Sequence, residues 1–253
     1  MSKKDGLILL LTWTAGCLDA LSFLGLEHVF VANMTGNTVL FGLAIAQGDW
    51  PGTLRSLIAM LGFSLGALGG TLLVERNYEQ NDGRWSRQVL LALGIEAALL
   101  LAFALGWPLV NAKRTFHPVA DALLALASLA IGEQSAVVLS LGVPGVSTTY
   151  ITGTITTLMA SLGRRLFVDI QKPPAVARRI DAQVERLKPL RMAAVWLTYI
   201  VAAICAGLSV LHLTWLAPYL PLLAILTVLI GALTSLQPKT KEGPEETTND
   251  CIL

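Results

Sequence analysis

Gly16-Cys17-Leu18-Asp19-Ala20-Leu21-Ser22-Phe23-Leu24, followed by Val29-Phe30-Val31-Ala32-Asn33-Met34-Thr35-Gly36-Asn37, is the stretch that decides how this chain folds. Its pattern returns from Gly132, 116 residues after Gly16, as Gly132-Glu133-Gln134-Ser135-Ala136 and then Val146-Ser147-Thr148-Thr149-Tyr150-Ile151-Thr152-Gly153-Thr154. In each copy a helix interrupted by small and polar residues leads into a short extended apolar run, a Thr-Gly pair and a second apolar helix. The reading is a duplication. Polar breaks at matching places in two halves of a membrane protein point to a binding site between repeats.

The setting is a bilayer. Of 253 residues 54% are hydrophobic and 14% charged, mean hydropathy is +0.65, and the apolar residues form long runs rather than scattered core positions. The net charge of +1 conceals an asymmetry, because the basic residues fall almost wholly between apolar runs. They line membrane ends, so no nucleic-acid partner is implied. Cys17, Cys205 and Cys251 fit neither a disulfide framework nor a metal spacing, and Cys251 is one place too near the end for a prenylation box. Met1-Ser2-Lys3-Lys4-Asp5 before Leu7 to Trp13 has the outline of a secretory signal, and Thr14-Ala15-Gly16-Cys17 that of a lipoprotein cleavage site. Against that, apolar sequence continues to Leu26 and the motif recurs internally, which a cleaved leader would not do.

Eight apolar segments follow one another: 7–26, 29–48, 56–74, 89–111, 119–143, 146–163, 192–212 and 214–236. Six have the roughly 20 residues of a spanning helix. The second and sixth open with extended residues and become helical only after Thr-Gly, so they read as discontinuous: strand first, half-helix second. Five extended residues reach about 16 Å and fourteen helical ones about 21 Å, enough together for a hydrocarbon core of about 30 Å. If both cross, there are eight spans in parallel repeats; if both dip in and return, six spans in inverted repeats. With the N-terminus inside, eight crossings leave Arg76, Arg84 and Arg87 outside, and six leave Arg55, Lys113 and Arg114. The counts tie, and the apolar run Val39 to Ala46 tips the reading to eight.

The fold expected is thus an all-α integral membrane protein of two tandem repeats with about four apolar segments each. The first repeat is 1–112 and the second 113–236, with a disordered polar tail at 237–253. Both crossing schemes put the tail and the basic stretch 164–191 in the cytoplasm. That stretch reads as a loop on anionic lipid headgroups, broken at Pro173-Pro174, with a short amphipathic helix from Ala175 to Leu187. Gly62, Ser64, Gly66, Gly69 and Gly70 give the third segment a small-residue face, weakly matched by Ala203 to Gly207 in the seventh. Such faces let helix backbones approach closely. Because both repeats have one, internal packing is expected ahead of dimerisation, and a homo-oligomer stays open.

Four carboxylates lie in or near spans: Asp19, Glu96, Asp121 and Glu133. An unpaired charge there costs at least about 2.5 kcal/mol, so each must find hydrogen bonds, face a cavity or hold a proton. Asp19 and Glu133 belong to the repeated motif and are the candidates for proton coupling. Glu96 has no counterpart and reads as a satisfied structural carboxyl, and Asp121 as a cap on the fifth helix. Half-helices starting at Thr35-Gly36-Asn37 and Thr152-Gly153-Thr154 would expose backbone N–H groups and a partial positive charge at membrane depth. Asn33, Thr35, Gly36, Asn37, Thr149, Thr152, Gly153 and Thr154, with Gln134 and Ser135, are therefore the candidate substrate-binding residues. The bland alternative is that these hydroxyls and amides only satisfy a broken backbone.

No nucleophile-and-base set, metal-ligand spacing or phosphate loop is legible, so no enzyme activity, metal or cofactor is expected; His28, His117 and His212 lie near different span ends. The motif Gly16 to Leu24 with Val29 to Asn37 resembles the signature of the YoaK-like family, small bacterial membrane proteins of unknown function, over about residues 7 to 236. Family members often carry Gln-Asn-Ala where this chain has Gln134-Ser135-Ala136. The resemblance implies a multi-pass protein of the bacterial inner membrane and supplies no substrate. The function expected is a secondary transporter or permease for a small polar, even anionic, solute bound between the repeats. The alternative is a scaffold or sensor acting through 164–191.

Overall fold

The computed structural model describes residues 3–75, 86–112, 117–141, 151–171 and 181–235. The described residues form eight helices: α1 (Lys3–Gly25), α2 (Met34–Gln47), α3 (Trp50–Glu75), α4 (Arg87–Ala112), α5 (His117–Ser140), α6 (Ile151–Gln171), α7 (Asp181–His212) and α8 (Tyr219–Ser235). Five of them, α1, α3, α4, α5 and α7, are long and apolar enough to cross a membrane. The eighth apolar segment begins its helix at Tyr219 rather than 214, because residues 214–218 form turns ahead of it. α8 is 17 residues long.

Several hydroxyls within the spans are absorbed by the helices that carry them. Thr12 donates to the Ile8 carbonyl at 3.0 Å and Thr14 to that of Leu10 at 3.1 Å, the backbone pairing that lets threonine sit in apolar surroundings. α1 stops in a sharp reversal: Glu27 and His28 both have positive φ, 68° and 64°. Side chains other than glycine pay for that region. His28 is held there edge-on to Phe23, ring centroids 5.0 Å apart.

The chain after the reversal does not form the strand that its β-branched residues suggest. A strand needs a partner, and here side chains take that place. The Val31 and Ala32 amides donate to Asp19, and the side-chain amide of Asn37 brackets Phe30. α2 then starts at Met34, capped by Asn33, which accepts the Gly36 N–H at 3.0 Å. Gly48, with φ 71°, ends α2, and the Asp49 N–H returns to the Ala44 carbonyl at 2.9 Å. Asp49 accepts the Gly52 N–H at 3.2 Å at the start of α3, so α2 and α3 form a hairpin.

The basic stretch is not the loop the sequence suggested. α6 runs past the end of its apolar residues to Gln171, and α7 begins at Asp181, ahead of Pro189. Apolarity sets where a helix meets lipid, whereas Arg, Leu and Gln continue a helix in water equally well. Residues 181–187 of the expected amphipathic helix are continuous with α7; 175–180 lie outside the described residues, as do Val146 to Tyr150 and the tail.

Packing follows a regular scheme. The most extensive pairs are α3 on α5 and α1 on α7; then α4 on α5, α1 on α8, α2 on α3, α6 on α7 and α4 on α8. Two thirds (67%) of the spans of α1 and α5 is buried, against 28% for α3 and 17% for α7, so α1 and α5 are the inner helices. The outer ones turn an apolar stripe to the lipid: Leu61, Leu65, Leu68 and Leu72 on α3, and Leu197, Val201, Ile204 and Leu208 on α7, each pair 136 residues apart.

Direction can be read from contacts. α3 and α5 run parallel, for Arg55 meets Asp121, Gly62 meets Ser128 and Gly70 meets Ala136. α1 and α7 run parallel, with Asp5 beside Arg191, Gly16 beside Tyr199 and Leu24 beside Gly207. α4 opposes α5, since Gly106 sits on Leu123 and Glu96 lies within charge reach of Glu133. α1 and α5 are antiparallel: Gln134 donates to the Leu11 carbonyl at 3.0 Å, and Arg55 joins Glu27, just past the end of α1, to Asp121 near the start of α5.

Candidate functional site

The motif residues separate into two buried centres. The first is built around Asp19, 4% exposed. One carboxylate oxygen accepts the Val31 N–H at 2.9 Å and the Ala32 N–H at 2.6 Å; the other accepts the Tyr199 hydroxyl from α7. Beside it the Asn37 side chain accepts the Phe30 N–H at 3.0 Å and donates to the Phe30 carbonyl at 2.6 Å. Phe30 stacks on Phe23 with centroids 4.9 Å apart. Asp19, on the first helix, thereby fixes the segment after the reversal and the seventh helix together. Three donors on one carboxylate offset part of the cost of its burial.

The start of α2, beside this centre, offers what was expected of it in part. Asn37 is buried and occupied, whereas Asn33 and Thr35 are exposed and Gly36 is half-buried. At the start of α6 Thr152 is exposed, Gly153 half-buried and Thr154 buried; Thr149 lies outside the described residues. α2 is positioned by α3 and α6 by α7, so the two Thr-Gly starts are carried by different helix pairs.

The second centre lies between α4 and α5. Glu133 is 4% exposed and Glu96 fully buried. The two stand at one level: Glu96 is ten residues before Gly106, and Glu133 ten residues after Leu123, the residue on which Gly106 packs. They are close enough to feel each other's charge. Neither oxygen of Glu96 has a hydrogen-bond partner, nor has Oε1 of Glu133. Glu96 is therefore not the satisfied structural carboxyl that its isolated position suggested. The Glu133 backbone lies against Gly70 of α3, and Gln134 reaches Leu11 of α1, while Ser135 spends its hydroxyl on the Ile131 carbonyl at 2.8 Å.

Ion pairs close the bundle at its ends. Arg55, 9% exposed in its side chain, lies 3.7 Å from Glu27 and 3.5 Å from Asp121. Asp121 is thus an ion-pair partner, four residues past the helix start at His117 and beyond capping reach. At the other end Arg191 lies 3.1 Å from Asp5. Sequence reading missed Tyr199 and Arg55 as partners because each carboxylate's partner is remote in the chain. The signals available were a hydroxyl-bearing ring inside an apolar run and a lone arginine at the head of a span.

Residues 7–233 match the sequence profile of DUF1275, described as a protein of unknown function. The chain is 38% identical over 169 residues to the UPF0700 transmembrane protein YoaK of Bacillus subtilis (strain 168), covering 67% of this chain and 72% of that protein. No solved structure matches.

Proposed function

This chain belongs to the DUF1275 family, and from that premise we propose that this multi-pass membrane protein is a secondary transporter or permease for a small polar solute, built from inverted repeats. The observation that carries the reading is the antiparallel course of α1 and α5, the two helices that hold the repeated motif. The pairing scheme supports it: matching α1–α4 with α5–α8 turns α1 on α7 into α5 on α3, α1 on α8 into α5 on α4, and α2 on α3 into α6 on α7. Gly16 on Tyr199 and Ala202 has its counterpart in Gly132 on Phe63 and Ala67. Inverted repeats with half-helices starting inside the membrane are the recurrent plan of secondary transporters.

This arrangement has six crossings, by α1, α3, α4, α5, α7 and α8. Support comes from the start of α2, at the depth of Asp19, and its end, directly at the head of α3. The extended residues lead back along α1 and add no reach to the half-helix, whose 14 residues span about 21 Å. Of the basic residues left outside by six crossings, Arg55 is neutralised by two carboxylates. The end carrying Asp5, Arg191 and the basic stretch 164–191 is then cytoplasmic in the bacterial inner membrane, together with the tail, and meets anionic headgroups.

The solute site is at the starts of α2 and α6, where the exposed side chains of Asn33, Thr35 and Thr152 and the positive ends of the helix dipoles favour a carboxylate or a strong dipole. The test is uptake of labelled acetate, lactate, glycine and alanine into proteoliposomes, with and without an imposed pH gradient. Uptake by at least one that falls in Thr35→Val and Thr152→Val supports the reading. Retention no greater than in empty liposomes for the whole panel overturns it.

A further inference from the structure

We propose that Glu96 of α4 and Glu133 of α5 form a proton-binding carboxyl pair in the membrane interior, holding one proton between them. The proposal deepens the permease reading by naming the coupling ion, and it rests on that reading for its role though not for its existence.

The geometry is specific. Glu96 is fully buried, and both of its oxygens are without a hydrogen-bond donor. Helices α3, α5 and α8 pack on α4. From α5 comes Glu133. From α3, the charged residues are Arg55, held at the far end between Glu27 and Asp121, and Glu75, which closes that helix. From α8 the titratable group is Tyr219, at its first residue. Arg87 opens α4 itself, nine residues before Glu96. No cation among the described residues therefore stands at the level of the pair. Two buried carboxylates at one level, with no donor to either oxygen of Glu96 or to Oε1 of Glu133 and no cation beside them, cannot both be ionised in hydrocarbon surroundings, and a proton held by the pair removes the repulsion. Asp19 contrasts with this. Its three donors are already in place, so it serves as a tie between helices and leaves proton carriage to the second centre.

Glu133 also stands where a proton could be linked to movement. Its backbone lies on Gly70 of α3, whose Cβ-free surface lets the two helices touch, while α4 packs on the same helix with Glu96 at its level. A change in the charge of the pair would act on the α4–α5 contact at the same residue that sets the α3–α5 contact.

The experiment is infrared spectroscopy of the full chain in lipid nanodiscs at neutral pH. The protein is prepared with glutamate carrying heavy carbon in its carboxyl, so that a protonated glutamic acid declares itself by an isotope-shifted carbonyl band. The labelled native chain should show such a band, Glu96→Gln should lose it, and Glu133→Gln should move it as the remaining carboxyl loses its partner. Absence of the band in the labelled native chain, which needs no variant to fold, overturns the proposal. An unchanged band in either variant overturns the pairing. Bleaching of the band by sodium and not by potassium overturns it in favour of a metal-cation site. The band is read without any solute, so a panel that fails to be transported while the band is present sinks the permease and leaves the pair standing.

Discussion

Tyr199 donates its hydroxyl to the carboxylate of Asp19, tying the seventh helix to the first across 180 residues of sequence. The same carboxylate holds the Val31 and Ala32 amides, so one side chain fixes a helix pair and the chain reversal beside it. Tyr199→Phe removes one charge-assisted bond and should cost about 2 kcal/mol, whereas Asp19→Ala also strands two amide donors and should cost about 4 kcal/mol. Thermal unfolding of the purified protein in detergent checks the order. Equal losses in the two variants would mean that the amides find other acceptors.

The glycines of α3 and α5 allow backbone-to-backbone contact. A Cβ on Gly66 would run into the Leu129 carbonyl, and one on Gly132 into that of Phe63, whereas Gly69 and Gly94 face open space. Gly66→Val or Gly132→Val should destabilise by about 3 kcal/mol, and Gly69→Ala should be neutral. Folded yield on fluorescence-detected size exclusion separates them.

The bundle was legible and its connections less so. The six long apolar runs foretold helices because a bilayer satisfies backbone groups only within such elements, and the motif residues drew attention to α1 and α5. The strand at Val29 to Val31 was misread because β-branched composition reports on local preference, while the acceptors that settle the conformation, on Asp19 and Asn37, are contributed by other parts of the chain. The same holds for the site. Glu133 was legible as a carboxylate beside Gly132 and Gln134 inside an apolar run, but Glu96 acquires its meaning only from the antiparallel register of α4 and α5, which apolar periodicity does not encode. Charge counting tied because it weighed Arg55 as a free cation.

Six crossings place Glu27 and the α2–α3 turn at Gly48-Asp49 on one side of the membrane, whereas eight would separate them. Single cysteines at Glu27 and Asp49, in a chain whose own Cys17, Cys205 and Cys251 are replaced, should both react with an impermeant maleimide from the face opposite the tail. Labelling of the two from opposite faces would restore the parallel eight-span arrangement.

Arg55 bridges Glu27 and Asp121, and its guanidinium is buried where Glu27 is half-exposed. Water screens the Glu27 contact, so most of the value of the bridge lies in the Asp121 contact. Arg55→Gln leaves a carboxylate at a helix interface without its cation and should cost about 2 kcal/mol, below the penalty for a fully buried pair because the Asp121 side chain is 24% exposed. Asp121→Asn alone strands the arginine less severely, because Glu27 remains to it. The double variant Arg55→Gln with Asp121→Asn removes both charges and should recover much of the loss, giving a coupling of about 1 to 3 kcal/mol in a double-mutant cycle. Additive losses would mean that Arg55 stabilises the bundle through the packing of its stem, and its charge would then count again toward the orientation of the spans.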